Sequence, residues 1–198
     1  MKNIPSVDLN DFLSNDIDKK KAFVNKLGKA YNEIGFVALK GHFLDDNDIK
    51  EVYSSIKEFF DLPDDIKAKY ELDGFDGQRG YTSFGKEHAK GKKHGDLKEF
   101  WHFGQYLDDD EYIKFNYPKN QIVSELPKFN NIGKKVFQSL EKTAIYVLRA
   151  ISLYLDLEED HFDKYVKKGN SILRPIHYPP IQTLSLIHIS EPTRRWSI

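Results

Sequence analysis

Residues 77–104 constrain the fold more than any other stretch, because a glycine-dense loop leads there directly into an aromatic-rich segment. Six of the chain's twelve glycines lie between residues 71 and 96. A loop of this length inside a compact domain is usually functional or mobile. Aromatic residues favour strands, so the residues that follow, 97–103, are predicted to form one. We therefore expect a functional loop placed against a buried strand.

The composition excludes several classes of protein. With 39% hydrophobic and 14% aromatic residues among 198, the chain is large enough for a core of its own and is not of a disordered type. A net charge of −1 predicts neither a nucleic-acid partner nor a membrane partner. The lack of cysteine excludes disulfides, thiolate nucleophiles and cysteine-ligated zinc. Without an apolar signal core or membrane-length apolar run, the sequence predicts a soluble, cytoplasmic protein.

Hydrophobic periodicity and turn residues predict a mixed α/β (α+β) chain. Strands are predicted over 4–9, 35–40, 97–103 and 171–178. Helices are predicted over 17–34, 45–61, 63–70, 128–155 and 158–166. Residues 108–111, a run of four acidic side chains, are predicted to form a solvent-exposed turn.

The C-terminal residues have a different character. Residues 184–195 read Leu-Ser-Leu-Ile-His-Ile-Ser-Glu-Pro-Thr-Arg-Arg. This run resembles the translation of a transposase adapter used in preparing sequencing libraries. We therefore expect 183–198 to be an artefact that plays no part in the fold. The alternative is a genuine polar tail.

Residues 4–182 resemble the N-terminal half of iron(II)/2-oxoglutarate-dependent dioxygenases of the isopenicillin N synthase type. Each single motif is short, but all of them occur in the family's order over about nine tenths of the chain. The motifs are Ile4–Leu9, Leu27–His42, Phe59–Pro63 with Lys67–Tyr70, Gly80–Gly104, and Arg174–Pro180 with its Tyr-Pro-Pro ending.

The resemblance implies a fold and a set of boundaries. The chain would form the N-terminal helical and strand layer of a double-stranded β-helix (jelly-roll) oxygenase whose barrel is truncated. Residues 1–120 would be the N-terminal non-haem dioxygenase domain, and 121–169 would hold a long backing helix and a short helix. Residues 170–182 would supply the first strand of the truncated catalytic β-helix.

The resemblance also implies Fe(II) and 2-oxoglutarate as cofactors of the intact family member, with a small molecule as substrate. The family holds iron with two histidines and one carboxylate, which leave positions open for the oxo-acid and oxygen. Those ligands follow the Tyr-Pro-Pro strand, which here ends at Pro180. We therefore expect no metal ligand and no catalytic residue in this chain, and no cofactor bound by it.

His94-Gly95-Asp96 is the alternative iron site, with His161 or His177 as the third ligand. The triplet lies in a loop rich in lysine and glycine, and the positive charge there opposes metal binding. The resemblance instead assigns Asp96 to a motif upstream of the barrel. We therefore favour a solvent-facing histidine at position 94.

Three residues are predicted to line the site on the basis of the resemblance. Tyr178 matches the tyrosine that faces the co-substrate or iron pocket, the alternative being a structural barrel tyrosine. Arg79 and Tyr81 lie where the family's N-terminal loop lines the substrate cavity. Their alternative roles are a loop-anchoring arginine and a packed tyrosine.

Three further residues carry expectations without a predicted role in chemistry. Trp101 and His102 must face opposite sides of their strand, but alternation leaves open which side is the core. His102 is expected to be a buried, hydrogen-bonded histidine. Glu99 is expected to form a structural ion pair with Lys98.

The intact protein is therefore expected to couple 2-oxoglutarate decarboxylation to hydroxylation, desaturation or cyclisation of a small molecule. The chain itself is expected to be inactive. One alternative is a non-catalytic α/β binding or interaction domain. A second is a zinc or copper hydrolase that uses the scattered histidines.

Overall fold

A computed structural model of the chain describes residues 3–74, 78–87 and 95–179. Its elements follow one another as β1 (Ser6–Asp8), α1 (Leu9–Leu13), α2 (Ile17–Glu33), β2 (Ala38–Lys40), α3 (Asp46–Phe60), α4 (Asp64–Ala68), β3 (Gly80–Thr82), β4 (Glu99–Gly104), α5 (Asp109–Phe115), α6 (Pro127–Tyr154), α7 (Asp163–Val166), β5 (Ile172–Leu173) and β6 (Ile176–His177). The chain divides into two compact units, Met1–Glu51 with Lys135–Gly169 and Val52–Lys134 with Asn170–Ile198.

The first unit is built on a parallel pair of strands, β1 and β2, with Val7 opposite Leu39. The Asp16 carboxylate starts α2 by accepting the backbone N–H groups of Asp18 and Lys19 at 3.0 and 3.1 Å. The helix is followed by Gly35 in the left-handed region, where glycine carries no steric penalty. Its apolar side chains recur at three- and four-residue steps and join a core of Val7, Leu9, Phe12, Phe23, Val24, Leu27 and Ala150.

The second unit contains the other four strands that the described residues form. β4 pairs antiparallel with β3, β5 and β6. Both β5 and β6 are two residues long, because Arg174 and Pro175 interrupt the strand predicted over 171–178. Proline has no N–H to donate to a ladder, although the Pro175 carbonyl still accepts the N–H of Trp101 at 3.1 Å.

Most helices agree with the predictions, and the differences have local causes. The exposed turn predicted at 108–111 is wrong, since Asp109–Phe115 forms α5. Acidic residues suit the first turn of a helix because they complement its dipole. The first strand is shorter than predicted, because the Asp8 side chain accepts the Asn10 N–H at 2.9 Å and starts α1. β3 was not predicted.

The helix predicted over 158–166 is shorter than expected. Residues before Asp163 form single turns, with His161 N–H bonded to Glu158 O at 3.0 Å, and only Asp163–Val166 is helical. The tail proposed as an artefact, 183–198, lies outside the described residues. None of the helices in the described ranges combines the length and the apolar character that crossing a membrane requires.

Candidate functional site

The candidate site is organised around β4, whose six residues are all buried. Aromatic side chains favour this extended conformation, and successive side chains point to opposite faces of the sheet. Tyr81 of β3 lies opposite Trp101, and His177 of β6 lies opposite Glu99. Directly opposed residues share a face of the sheet. One face therefore carries Glu99, Trp101, Phe103, Tyr81 and His177, and the other carries Phe100, His102, Thr82 and Ile176.

The first face packs against an aromatic cluster. Phe59 of α3 and Phe129 of α6 stack at 4.9 Å between ring centroids, and Trp101 lies 4.8 and 5.1 Å from them. Gly133 leaves the space that the Phe103 ring occupies, since a Cβ there would lie 2.3 Å from it. Trp101 is 1% exposed. The side of β4 that carries Trp101 is therefore the core side.

A buried polar network lies on the same face. Glu99 accepts from Lys67 Nζ at 2.8 Å through Oε2 and from the hydroxyl of Tyr81 through the same atom. Its Oε1 lies 2.7 Å from His177 Nδ1. The His177 ring stacks on Phe60 with 5.1 Å between centroids. The side chains of Glu99 and Lys67 are each 5% exposed, so the ion pair is almost wholly withdrawn from water.

The network holds Glu99 and Lys67 in their charged forms. Burial alone would raise the pKa of Glu99, but the hydrogen bonds from Lys67, Tyr81 and His177 outweigh it and the pKa is lowered. Burial alone would lower the pKa of Lys67, but its bonds to Glu99 and Asp64 raise it. Burial, followed by the hydrogen bond to Glu99, raises the pKa of Tyr81. Glu99 is thus an ionised acceptor, and Tyr81 is a neutral donor to it.

The predicted ion pair between Lys98 and Glu99 is wrong. Lys98 bonds instead to Asp96 at 2.8 Å and to Glu87 at 2.7 Å. Neighbouring residues in an extended segment point to opposite sides, so Lys98 cannot share the buried side of Glu99. Lys67, 32 positions away in the sequence, takes its place.

The opposite face of β4 is covered by Arg174. Its Nε donates to His102 Nε2, and its guanidinium carbon lies 4.4 Å from the centroid of Phe100. Glu87 approaches NH1 at 3.5 Å. His102 is 2% exposed, so the prediction of a buried, hydrogen-bonded histidine is confirmed. Thr82 Oγ1 is buried here without a hydrogen-bond partner among the described residues.

Arg79 is fully buried. Its guanidinium donates to Asn170 Oδ1 at 2.6 Å and to the carbonyl of Gln78 at 2.7 Å. Gly104 makes room for it, since a Cβ there would lie 1.8 Å from Cζ and from Nε. Burial lowers the pKa of Arg79 from an ordinary value far above neutrality, so the group stays charged. Its contacts suit an anchoring residue, and its predicted place at the substrate stays a prediction.

Tyr81 and Tyr178 differ sharply in exposure. Tyr81 is 4% exposed and bonded to Glu99, whereas Tyr178, directly after β6, is 63% exposed. Alternation along the strand turns Tyr178 away from the face on which His177 bonds to Glu99. The exposed ring is free to contact a ligand, and its co-substrate role stays a prediction.

The alternative iron site is only partly within the described residues. His94 lies outside them. Asp96 bonds to Lys98, His161 packs against Phe162 and Tyr165, and His177 bonds to Glu99. Within 3–74, 78–87 and 95–179, no three histidine or acidic side chains are grouped so that they could hold a metal ion. The described residues therefore offer no ligand set that fits iron.

Lys67 and His177 are the residues of this site that sequence reasoning missed as partners of Glu99. Lys67 stands in the segment Lys-Ala-Lys-Tyr, where two lysines compete for the assignment. Of the two lysines, Lys67 points inward. It lies three residues after Asp64, with which it pairs, and its Nζ donates to the Phe60 carbonyl at 3.3 Å. The helical spacing therefore indicates that Lys67 lies on the inner side of α4. Its partner Glu99 could be identified only once β4 was seen to face that helix.

Comparisons with known proteins extend over almost the whole chain. The family model for the N-terminal region of a non-haem dioxygenase in morphine synthesis matches residues 4–125. The 2-oxoglutarate-dependent dioxygenase htyE of Aspergillus rugulosus is 29% identical over 195 residues, covering 92% of this chain and 58% of the relative. The chain spans about half the length of other curated relatives it matches.

Solved structures share the fold. A 2OG-Fe(II) oxygenase family protein from Caulobacter crescentus superposes with a TM-score of 0.80 at 36% identity, over 94% of this chain and 59% of that one. A Neurospora crassa protein, crystallised at full length with alpha-KG and thymine, superposes with a TM-score of 0.74 at 24% identity, over 89% of this chain and 55% of that one. These matches confirm the predicted mixed α/β architecture of jelly-roll oxygenases.

Proposed function

Because the chain belongs to the non-haem dioxygenase family, we propose that the whole protein containing it is an Fe(II)- and 2-oxoglutarate-dependent oxygenase. The protein would convert 2-oxoglutarate to succinate and carbon dioxide while oxygen oxidises a small molecule. The observation that carries the proposal is the match to the Caulobacter 2OG-Fe(II) oxygenase family protein, which covers 94% of the chain at 36% identity. The relative htyE, a 2-oxoglutarate-dependent dioxygenase by name, supports 2-oxoglutarate as the co-substrate.

In this proposal the described residues line the co-substrate and substrate sites and do not bind the metal. Tyr178 would face the co-substrate, which its exposure of 63% permits. Arg79 and Tyr81 would border the substrate cavity, and the alternative for these two buried residues is an anchoring arginine and a packed tyrosine. No described residue is assigned to iron, and no step at iron is derived from this chain.

We propose three further properties of the protein. The substrate is a small molecule, as thymine is in the complex of the Neurospora protein. The protein is cytoplasmic. The 198-residue chain, tested by itself, does not turn over 2-oxoglutarate.

The test compares the full-length product of the source gene with the 198-residue chain. Calorimetry with Fe(II) present measures 2-oxoglutarate binding, which needs no knowledge of the substrate, and a succinate assay measures turnover. The full-length product is expected to bind 2-oxoglutarate and form succinate only with iron, and Tyr178→Phe is expected to weaken binding.

A folded full-length product that binds no 2-oxoglutarate would refute the proposal. If the 198-residue chain also melts as a cooperative monomer, the alternative of a non-catalytic binding domain gains support. Succinate formation by the 198-residue chain would refute its proposed inactivity. His94→Ala in that chain then decides whether the triplet at 94–96 holds the iron.

A further inference from the structure

The buried Glu99 network reaches the strand that precedes Tyr178. Glu99 is held from two sides, by Lys67 of α4 and by the hydroxyl of Tyr81 in β3. Its second carboxylate oxygen remains for His177 Nδ1, at 2.7 Å. Since Glu99 is ionised, Nδ1 must carry the proton that joins them. A carboxylate that bonds one ring nitrogen fixes both the tautomer and the orientation of an imidazole.

Backbone pairing alone holds β6 weakly. The strand has two residues, Ile176 and His177, and prolines at 175 and 179 flank it. Proline has no N–H, so the ladder cannot extend through it as a donor. The side-chain bond from His177 to Glu99 and the stack of its ring on Phe60 therefore add to the short backbone ladder with β4 in fixing the register of β6.

The direction of Tyr178 follows from the placement of His177. Adjacent side chains of an extended segment point to opposite faces. With the His177 ring held beside Glu99, the Tyr178 ring is directed to the opposite side of the segment, where, beyond the end of β6, it is 63% exposed. A rotation or one-residue slip of β6 would exchange the two.

We infer that Glu99 is a positioning residue, which fixes β6 through His177 and thereby aims Tyr178 at its ligand. Lys67 and Tyr81 hold Glu99, and Glu99 holds His177. The inference rests on the proposed function only for the identity of that ligand, 2-oxoglutarate. The fixing of β6 by Glu99, called the mechanical part below, involves only residues between 67 and 178 of this chain and does not depend on any enzymatic activity.

The mechanical part is tested by hydrogen exchange in the 198-residue chain, read at the amides of residues 176–178. His177→Phe keeps an aromatic ring over Phe60 but removes Nδ1. His177→Asn places an amide nitrogen near the Nδ1 position. The Phe variant is expected to exchange roughly 10- to 100-fold faster there, as the loss of a hydrogen bond to a charged group implies, and the Asn variant to stay near wild type.

Asp48→Asn is the matched control. Asp48 is also buried and bonded to a lysine, Lys135 at 2.5 Å, but it lies in the first unit. Its loss is expected to leave exchange at 176–178 unchanged. Unchanged exchange in the Phe variant, or an equal increase in the Phe and Asn variants, would overturn the inference.

The functional part is tested in the full-length protein. His177→Phe is expected to raise KM for 2-oxoglutarate about tenfold or more while kcat changes less, and His177→Asn to restore it. If His177→Phe speeds exchange at residues 176–178 but leaves KM for 2-oxoglutarate unchanged, the inference that Glu99 orients Tyr178 toward the co-substrate is refuted. A wild-type protein that forms no succinate refutes the proposed function instead, and the exchange result stands apart from it.

Discussion

Replacing Gly104 with alanine tests how firmly Arg79 is held. The added Cβ would lie 1.8 Å from both Cζ and Nε of a guanidinium that is fully buried. The group cannot withdraw without losing its bonds to Asn170 and to the Gln78 carbonyl. Overpacking costs about 1–3 kcal/mol, and each hydrogen bond of a charged group contributes about 1.5–3 kcal/mol. We expect Gly104→Ala to lower the free energy of unfolding by about 3 kcal/mol.

A double-mutant cycle identifies the cause of that loss. In an Arg79→Ala background the guanidinium is absent, so adding a methyl group at Gly104 is expected to cost less than about 1 kcal/mol. Urea denaturation of the four proteins gives a coupling energy, expected to be about 2 kcal/mol or more. An equal cost of Gly104→Ala in both backgrounds would refute the proposed contact. A cost below about 0.5 kcal/mol in the wild type would show that Arg79 is not held in place.

The remaining predictions concern the buried ion pair and a helix start. Lys67→Met is expected to lower the free energy of unfolding by about 3–5 kcal/mol, because it leaves the buried carboxylate of Glu99 without its lysine cation. Lys57→Met removes an exposed ion pair and should lower it by less than about 1 kcal/mol in the same urea titration. The pKa of Glu99 is lowered in the fold, so its stabilisation is present above about pH 4.3 and is lost as pH falls through the folded-state pKa. Between about pH 6 and about pH 3 the free energy of unfolding should therefore fall less steeply in Glu99→Gln than in the wild type. An identical dependence on pH in the two proteins would contradict this. Asp16→Ala removes the N-cap of α2 and should lower the free energy of unfolding by about 1 kcal/mol. An unchanged melting temperature would contradict the capping role.

The elements that sequence could predict are those whose signals are local. α2 has a capping aspartate at Asp16, a glycine at position 35 and a regular apolar spacing between them. β4 was predicted from its aromatic run. α5 was missed because a run of acidic residues suits a solvated turn and the first turn of a helix equally well. The helix is favoured over the turn by Tyr112, whose side chain is buried and whose hydroxyl donates to the Gln105 carbonyl at 2.8 Å.

The polar site could not be predicted, because its contacts join residues far apart in the sequence. Alternation shows that Trp101 and His102 face opposite ways, but only the rings of Phe59 and Phe129 decide which side is the core. The partner of Glu99 was sought at the adjacent Lys98. Burial of a carboxylate requires a cation on its own side of the strand, so neighbours in sequence are the least suited to supply it.

The glycine-dense loop that suggested an iron site has a structural explanation at its two described ends. Gly85 adopts a left-handed conformation, and its backbone N–H bonds to the Asp96 carbonyl at 3.1 Å. A Cβ on Gly95 would lie 1.8 Å from the Gly85 carbonyl oxygen, so only glycine permits this approach. Asp96 N–H bonds to the Glu87 carbonyl at 2.7 Å, while its carboxylate pairs with Lys98. The residues beside His94 therefore close the loop, and the charge of Asp96 is already engaged by a lysine that a cation would have to displace.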